Sequence, residues 1–386
     1  MFILILIPSN LKSLLIILLG LVVLYTAFKN KTKFNKVFFL NYSIIYFVIL
    51  LTLIYNQSFS QGFWFAQTMV SLAIFPFYFS FISKDDYEKL NFEVFFWVYL
   101  ISIFVFHIAV FSWFAIFEFS VSETLKHFQE IVTLHLGKLS THPIYISMHC
   151  CIALFLSAKL YKNELSIFKK IMLFLLQSFM ILFLILHAKK GPIAAFLTSI
   201  FLYFVIFYKE LNLKKVIPIF LILTVLFFSI PSVKNRFSEL IKIAKLTNEN
   251  ANSTNIRVAV YKNVFQLIKD SPLIGYGIGT HNQALQDNYS RNKQNILLEK
   301  HYNSHNQYLS FLLIGGPILL FLFLYFLIKN INLGISTNNK ILVLLLLFYS
   351  IVMLTENILE RESGVIFFSF FLSLFGFKNY QNLDEC

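Results

Sequence analysis

Charge is scarce in this sequence. Asp, Glu, Lys and Arg supply only 13 % of its 386 residues, about half the share of an ordinary soluble domain. Acidic residues are the rarer kind, 19 against 32 basic ones, which leaves a formal net charge of +13. Apolar residues reach 58 %, more than one soluble core of this length can hide. A soluble enzyme, a disordered chain and a repeat solenoid are thereby excluded. Cysteine is also rare: Cys150 and Cys151 are adjacent in an apolar run and Cys386 is the last residue, so no disulfide or metal spacing can be built. A small-residue cleavage site after a basic segment is missing, so no removable signal peptide is expected. The basic residues form short clusters between apolar runs, which fits membrane orientation rather than nucleic-acid binding.

What the sequence does have is long apolar runs, with Phe alone occurring 48 times. Eleven runs approach the roughly 20 residues needed to cross a bilayer: 11–28, 37–55, 63–82, 92–118, 142–160, 168–187, 191–208, 215–231, 305–328, 341–355 and 364–378. They are continuously apolar rather than alternating, and an isolated strand in lipid would leave its backbone unsatisfied. The expected fold is therefore an all-α polytopic membrane protein with about 11–12 transmembrane helices. Residues 1–7 read as the stump of a twelfth helix, or as the start of a longer helix broken at Pro8.

Orientation follows from the short loops. Lysines 29, 31, 33 and 36, then 84 and 89, then 159, 162, 169 and 170, and later 209, 214, 215, 329, 340 and 378 fall on one alternating side, which is assigned as cytoplasmic. The opposite side begins with 56–62, Asn-Gln-Ser-Phe-Ser-Gln-Gly, which carries no charge. The expected organisation is an N-terminal bundle over 1–231, one large, partly helical outer loop over 232–304, and C-terminal helices over 305–386. A polar connector of this length is uncommon unless functional, so chemistry is sought there.

The loop opens with Val233, Phe237, Leu240, Ile241 and Ala244 at helical spacing among Lys234, Arg236, Lys242 and Lys245. This predicts an amphipathic helix over Val233–Leu246, lying on the membrane or packing on the roof of the bundle. A second helix is expected after Ser253 or Thr254 as N-cap, ending at Pro272. It would place Arg257 in its first turn, on the face of Tyr261, as a pyrophosphate ligand or as an exposed arginine. Ile274-Gly275-Tyr276-Gly277-Ile278-Gly279 then predicts close backbone approach to something, without the spacing of a dinucleotide fingerprint.

The loop ends in His301-Tyr-Asn-Ser-His305-Asn306-Gln-Tyr308-Leu309. Spacing by four would put His301 and His305 on one helix face. They could hold a metal with Glu299 or His281 as third ligand, although HExxH is absent; one could act as a general base; or both could be interfacial histidines. Lys189 and Lys190 stand at an outer hairpin, against the orientation rule, which points to anion capture or to snorkelling. Glu356, at a membrane boundary, needs a cationic partner. His107, His149 and the cysteine pair, within spans, are expected to serve packing.

The ordered set of outer features resembles the O-antigen ligase and polymerase superfamily. It comprises Arg257, Tyr261, Pro272, Gly275, Gly277, Gly279, His305, Asn306, Tyr308, Leu309 and Gly315-Gly316, with Lys189-Lys190 before Gly191 and Thr355-Glu356 before Gly364. The similarity covers roughly 187–375. Two features depart from the family pattern: Lys189-Lys190 stands where Ser-Arg is common, and Ile318-Leu319 follows Gly315-Gly316-Pro317 where many ligases carry Gly-Thr-Arg.

The resemblance implies a bacterial inner-membrane enzyme with its active face in the periplasm. It would transfer a glycan from polyprenyl pyrophosphate to an acceptor hydroxyl, on lipid A-core for a ligase or on another lipid-linked glycan for a polymerase. A protein hydroxyl is a third acceptor class. His305 would be the base, Arg257, Lys190 and Lys189 would bind the pyrophosphate, and Asn306, Glu356, His301, Gly275 and Gly277 would support them. No cofactor and no metal are expected, and membrane lipids rather than nucleic acid surround the chain. A lipid-linked glycan flippase or transporter is the rival class. It would call for mid-span ionisable residues, which are nearly absent here.

Overall fold

The structure is a computed structural model, and it describes residues 3–161, 165–208, 243–270 and 273–380, together with Lys234 and Ser238. Its main helices are α1 (Ser9–Asn30), α2 (Lys36–Leu51), α3 (Phe59–Met69), α4 (Ser71–Phe79), α5 (Phe92–Phe117), α6 (Val121–Glu130), α7 (Pro143–Ser157), α8 (Ile167–His187) and α9 (Lys190–Phe207). They continue with α10 (Ser253–Asp270), α11 (His281–Arg291), α12 (Gln307–Ser336), α13 (Lys340–Val352) and α14 (Glu362–Phe377). Among the described residues there is no strand, and the protein is an all-α, multi-pass membrane protein.

Eight segments of the described residues are long and apolar enough to span: α1, Lys36–Tyr55, Phe59–Phe79, α5, Pro143–Leu160, α8, α9 and α12. The expected run at 215–231 lies outside the described residues, as do most of Val233–Leu246, Pro272 and Cys386. The runs at 341–355 and 364–378 form α13 and α14, whose 13 and 16 residues are fewer than a full crossing needs. In α14 the reason is visible: every residue from Gly364 to Phe377 is buried, so its apolar run serves protein packing rather than lipid contact. The run at 63–82 is divided at Val70, with Pro76 inside α4 withholding an N–H from the carbonyl of Leu72. Among the described residues the chain is broken at Pro8, as one of the two readings expects. Leu4–Leu6 form a 3-10 turn, Pro8 is extended and α1 begins at Ser9.

The described residues fall into two compact units: 3–33 with 81–197, and 34–80 with 198–208 and those from 234 onward. In the first unit α7 is buried along its whole length and packs against α5 and α8. Cys150 and Cys151 are in its core. His107 stacks on Phe183 with ring centroids 4.0 Å apart and donates through Nδ1 to the carbonyl of Ile103 at 2.8 Å. Its Nε2 lies 3.1 Å from Nε2 of His187.

In the second unit α14 packs against α4 and α13, and α2 against α4 and α12. Polar pairs stitch this apolar bundle, with Asn41 donating to Asn330 at 3.0 Å and Ser369 to the carbonyl of Ser71 at 2.6 Å. The loop helices α10 and α11 bury Val260, Val264, Leu285 and Tyr289 against Leu309 and Leu313 at the start of α12. Each such side chain contributes about 1.5–3 kcal/mol of burial, enough to hold the loop on the first turns of α12.

α12 is broken at Gly315 and Gly316, just before Pro317. Pro317 has no N–H for the carbonyl of Leu313, four residues back. The N–H of Tyr276 takes that place at 2.7 Å, and the N–H of Gly277 serves the carbonyl of Ile314 at 2.9 Å. The glycine-rich turn thus replaces the hydrogen bonds that the break removes. Gly275 and Gly316 have φ of 74° and 63°, and a Cβ on Gly275 would lie 2.7 Å from the carbonyl of Ile314.

Candidate active site

The site is built on three short pieces of the second unit. The first is the start of α12, where Asn306 is the N-cap. Its Oδ1 accepts from the N–H groups of Tyr308 at 2.9 Å and Leu309 at 3.1 Å. Its Nδ2 donates to the carbonyl of Leu354 at 3.1 Å, which ties the cap to the segment after α13. That segment is the second piece, and it carries Glu356. The third is α10, with Arg257 and Tyr261.

The cap at Asn306 leaves both histidines outside the helix, so they do not share a helix face as expected. His301 and His305 have φ of 48° and 47° and sit in irregular backbone. His301 closes the short helix Asn295–Glu299, with its N–H on the carbonyl of Leu298. His305 is displaced toward the second piece, and its Nδ1 lies 3.3 Å from a carboxylate oxygen of Glu356. Both side chains are mostly buried, at 20 % and 13 % exposed. With Nδ1 engaged, Nε2 is the nitrogen that can take a proton.

α10 is capped one residue earlier than expected. Asn252 accepts from the N–H groups of Thr254 at 3.0 Å and Asn255 at 2.9 Å, so Arg257 lies in the second turn rather than the first. A helix N-terminus therefore does not reinforce Arg257, and its charge acts alone. Its Nε is buried without a hydrogen-bond partner. Residues 243–246, the described end of the expected amphipathic helix, are not helical. The N–H of Ala244 donates instead to Asn255 Oδ1 at 3.0 Å. One turn after Arg257, the Tyr261 hydroxyl donates to the carbonyls of Leu354 at 3.0 Å and His305 at 3.3 Å. Burial pushes the Tyr261 phenol above its ordinary pKa, with Asn306 and the Arg257 charge pulling it back less strongly, so it remains a donor.

Beneath this surface lies a polar network that sequence reasoning missed. The buried carboxylate of Glu360 accepts from Ser310 and, at 2.9 Å, from Asn357. His281 Nε2 is 3.8 Å from its other oxygen, while His281 Nδ1 donates to the carbonyl of Ile278 at 2.7 Å. Gln307 accepts the N–H of Leu359 at 2.9 Å, and Asn357 also bonds Ser304. Burial works to raise the Glu360 carboxyl, but His281, Ser310 and Asn357 outweigh it and hold it below the ordinary range. The cluster Glu356, Glu360 and Glu362 was its available signal: three carboxylates and one arginine between two apolar runs imply that at least one carboxylate is internally satisfied.

The glycine run approaches protein backbone: Gly275 and Gly277 meet α12 at its break, and Gly279 donates to Asn56 Oδ1 at 3.1 Å. Lys189 and Lys190 belong to the first unit, at the turn where Ala188 (φ 43°) ends α8 and Lys190 opens α9. Among the described residues no three His, Cys, Asp or Glu side chains converge as a metal site requires. His281 and His301, drawn together in the metal reading, have separate surroundings: His281 is buried beside Glu360, and His301 lines an open pocket.

No curated protein matches the chain. The family model described as O-antigen ligase matches residues 175–324, a stretch that contains Lys189, Lys190, Arg257, Tyr261 and His305. Over those residues the chain is similar to the O-antigen ligase family, in line with the resemblance read from its ordered outer residues.

Proposed function

We propose that this protein is an O-antigen ligase of the bacterial inner membrane, moving a glycan from polyprenyl pyrophosphate to an acceptor hydroxyl on the periplasmic face. The observation that carries the reading is the His305–Glu356 pair, 3.3 Å apart and one helix cap away from the phenol that anchors α10. In the reaction the acceptor oxygen attacks the anomeric carbon, and the bond from that carbon to the pyrophosphate oxygen breaks. The electron pair leaves with the pyrophosphate, and the acceptor proton passes to His305 Nε2. Glu356 orients the imidazole through Nδ1 and stabilises the imidazolium, as an orienting carboxylate does in other base dyads. Arg257, with its unpartnered Nε, meets the charge gained by the leaving group. The cation is supplied by the protein, so the reading requires no metal. Lipid A-core is the acceptor of this reading.

Polymerisation of lipid-linked glycans is the second reading. It is favoured by Ile318-Leu319 after Gly315-Gly316-Pro317, where many ligases carry Gly-Thr-Arg. The same dyad would serve it, with another lipid-linked glycan as acceptor.

The test is transfer in proteoliposomes from a purified polyprenyl-pyrophosphate-linked glycan, with lipid A-core and lipid-linked glycan offered separately. His305→Ala is expected to abolish transfer while inserting and folding normally, and wild-type transfer is expected to persist in chelator. Near-normal transfer by His305→Ala would remove it as the base.

A further inference from the structure

The second unit contains a pocket of about 480 Å³ that the reaction just described leaves unused. Its walls are Gln61 and Trp64 on α3, Asn282 and Gln286 on α11, and His301 and Asn303 in the stretch leading to His305. The volume is within the roughly 300–1,000 Å³ of small-ligand sites. Among the described residues that line it there is no Lys, Arg, Asp or Glu, although the chain carries net charge +13. A pocket with this lining does not select for charge. It offers carboxamides, each able to donate and accept, beside an indole that is 60 % exposed.

Two further observations point to a ligand. Gln286, a lining residue, donates through Nε2 to the carbonyl of Tyr302 at 3.1 Å, while its Oε1 is buried without a hydrogen-bond partner. A buried acceptor of this kind is costly unless a donor arrives. Asn303 Oδ1 accepts the N–H of His305 at 3.1 Å, so one residue belongs both to the pocket wall and to the backbone that sets His305. Carboxamides match vicinal hydroxyls, and an exposed indole face matches the apolar C–H face of a pyranose ring.

We infer that this pocket is a saccharide subsite, in which an uncharged pyranose unit of a glycan stacks on Trp64 and hydrogen-bonds Gln61, Asn282 and Gln286. The inference rests on the glycan-transfer reading and extends it by naming where a sugar is held. The sugar can come from the lipid-linked donor or from the acceptor, and the chemistry of the pocket is the same for both.

The chain has three tryptophans, so Trp97→Phe with Trp113→Phe leaves Trp64 as the only reporter. This protein, reconstituted in nanodiscs, is titrated with the free glycan released by mild acid from the lipid-linked donor, and with sugar-free polyprenyl pyrophosphate as the second probe. The expected result is a saturable change in Trp64 fluorescence with the glycan only, weakened by Gln61→Ala, a substitution near the helix start that leaves the fold intact. In the transfer assay Trp64→Ala is expected to raise KM about five- to tenfold, the worth of one aromatic contact, with Trp64→Phe restoring part of it. The rise falls on the donor KM or on the acceptor KM, and that identifies the source of the sugar.

An unresponsive Trp64, or an equal response to sugar-free polyprenyl pyrophosphate, would overturn the subsite even while transfer proceeds. So would unchanged KM for both substrates in Trp64→Ala. Conversely, saturable glycan binding by a protein that transfers nothing to either acceptor would uphold the subsite and refute the transferase reading.

Discussion

The phenol of Tyr261 donates to the backbone carbonyl of His305 at 3.3 Å, joining a loop helix to the residue proposed as the base. The same hydroxyl reaches the carbonyl of Leu354, two residues before Glu356. One side chain therefore fixes the backbone under both members of the dyad. Tyr261→Phe keeps the ring in its apolar setting and removes only the hydroxyl. It is expected to cost about 0.5–1.5 kcal/mol of stability and to lower kcat several-fold with little change in KM. Thermal melting and steady-state transfer kinetics of the reconstituted variant check both parts.

In the proposed mechanism Glu356, 3.3 Å from His305, acts on it through charge and orientation. Glu356→Gln preserves size but leaves a neutral amide, which supports neither an Nδ1–H donor nor an imidazolium as well as a carboxylate does. The expected loss is about a hundredfold in kcat, within the usual contribution of general-base catalysis, with donor affinity unchanged. A comparable loss of donor binding would move Glu356 from the dyad to the substrate site. The readout is kcat and KM measured together with direct donor binding.

How much of this was legible beforehand differs from piece to piece. Helices and their membrane character follow from continuous apolar runs, because lipid forces every backbone group to be paired within its own segment. The fate of α14 does not follow: an apolar run facing protein reads the same as one facing lipid. The partner of the glycine turn was hidden because it is the break at Gly315–Pro317, about 40 residues further along the chain, and only the fold shows Tyr276 and Gly277 supplying the missing donors. The histidines were misplaced relative to each other because their spacing suggested a helix, whereas Asn306 is the stronger cap and starts α12 after both. The uncharged loop 56–62 served only as an orientation signal. In the structure Asn56 Oδ1 receives the N–H of Gly279 and the hydroxyl of Thr280, which ties the turn before α11 to the turn before α3. Arg257, Tyr261 and His305 were legible as an ordered set through the resemblance, but their relation to Glu356 depends on a turn that periodicity does not encode.

Arg257 offers a guanidinium whose Nε is buried and unpartnered, so its donors are free of internal obligations at that atom. Arg257→Lys keeps the charge and loses the fork. If the guanidinium grips pyrophosphate by two prongs, the lysine variant is expected to lose about 1.5–3 kcal/mol, roughly ten- to a hundredfold in donor affinity. Donor binding by isothermal titration, together with transfer rates, separates this from a structural role. Full activity with unchanged affinity would make Arg257 a packing residue.

Glu360 gives the fold a dependence on pH that is separate from catalysis. Its folded pKa is depressed, so its stabilising contribution is fully present above its ordinary value of 4.5 and is lost as pH falls through the lower, folded value. The sign follows from proton counting: below 4.5 the unfolded carboxylate takes up a proton that the folded one still refuses, so acid favours unfolding. His281 is the titratable group facing it, 3.8 Å away, and its other nitrogen is committed to the carbonyl of Ile278. Glu360→Gln keeps an acceptor for Ser310 and Asn357 but removes the charge, and with it this share of the acid sensitivity. The variant is expected to melt lower than wild type at neutral pH, because Ser310 and Asn357 then donate to a neutral amide instead of a carboxylate. The gap is expected to narrow steadily as pH is lowered from 5 toward 3. Melting curves of both proteins in nanodiscs across that range decide it: a gap that stays constant would mean that the carboxyl of Glu360 titrates alike in the folded and unfolded protein, and a gap that widens would mean that it is protonated in the folded one.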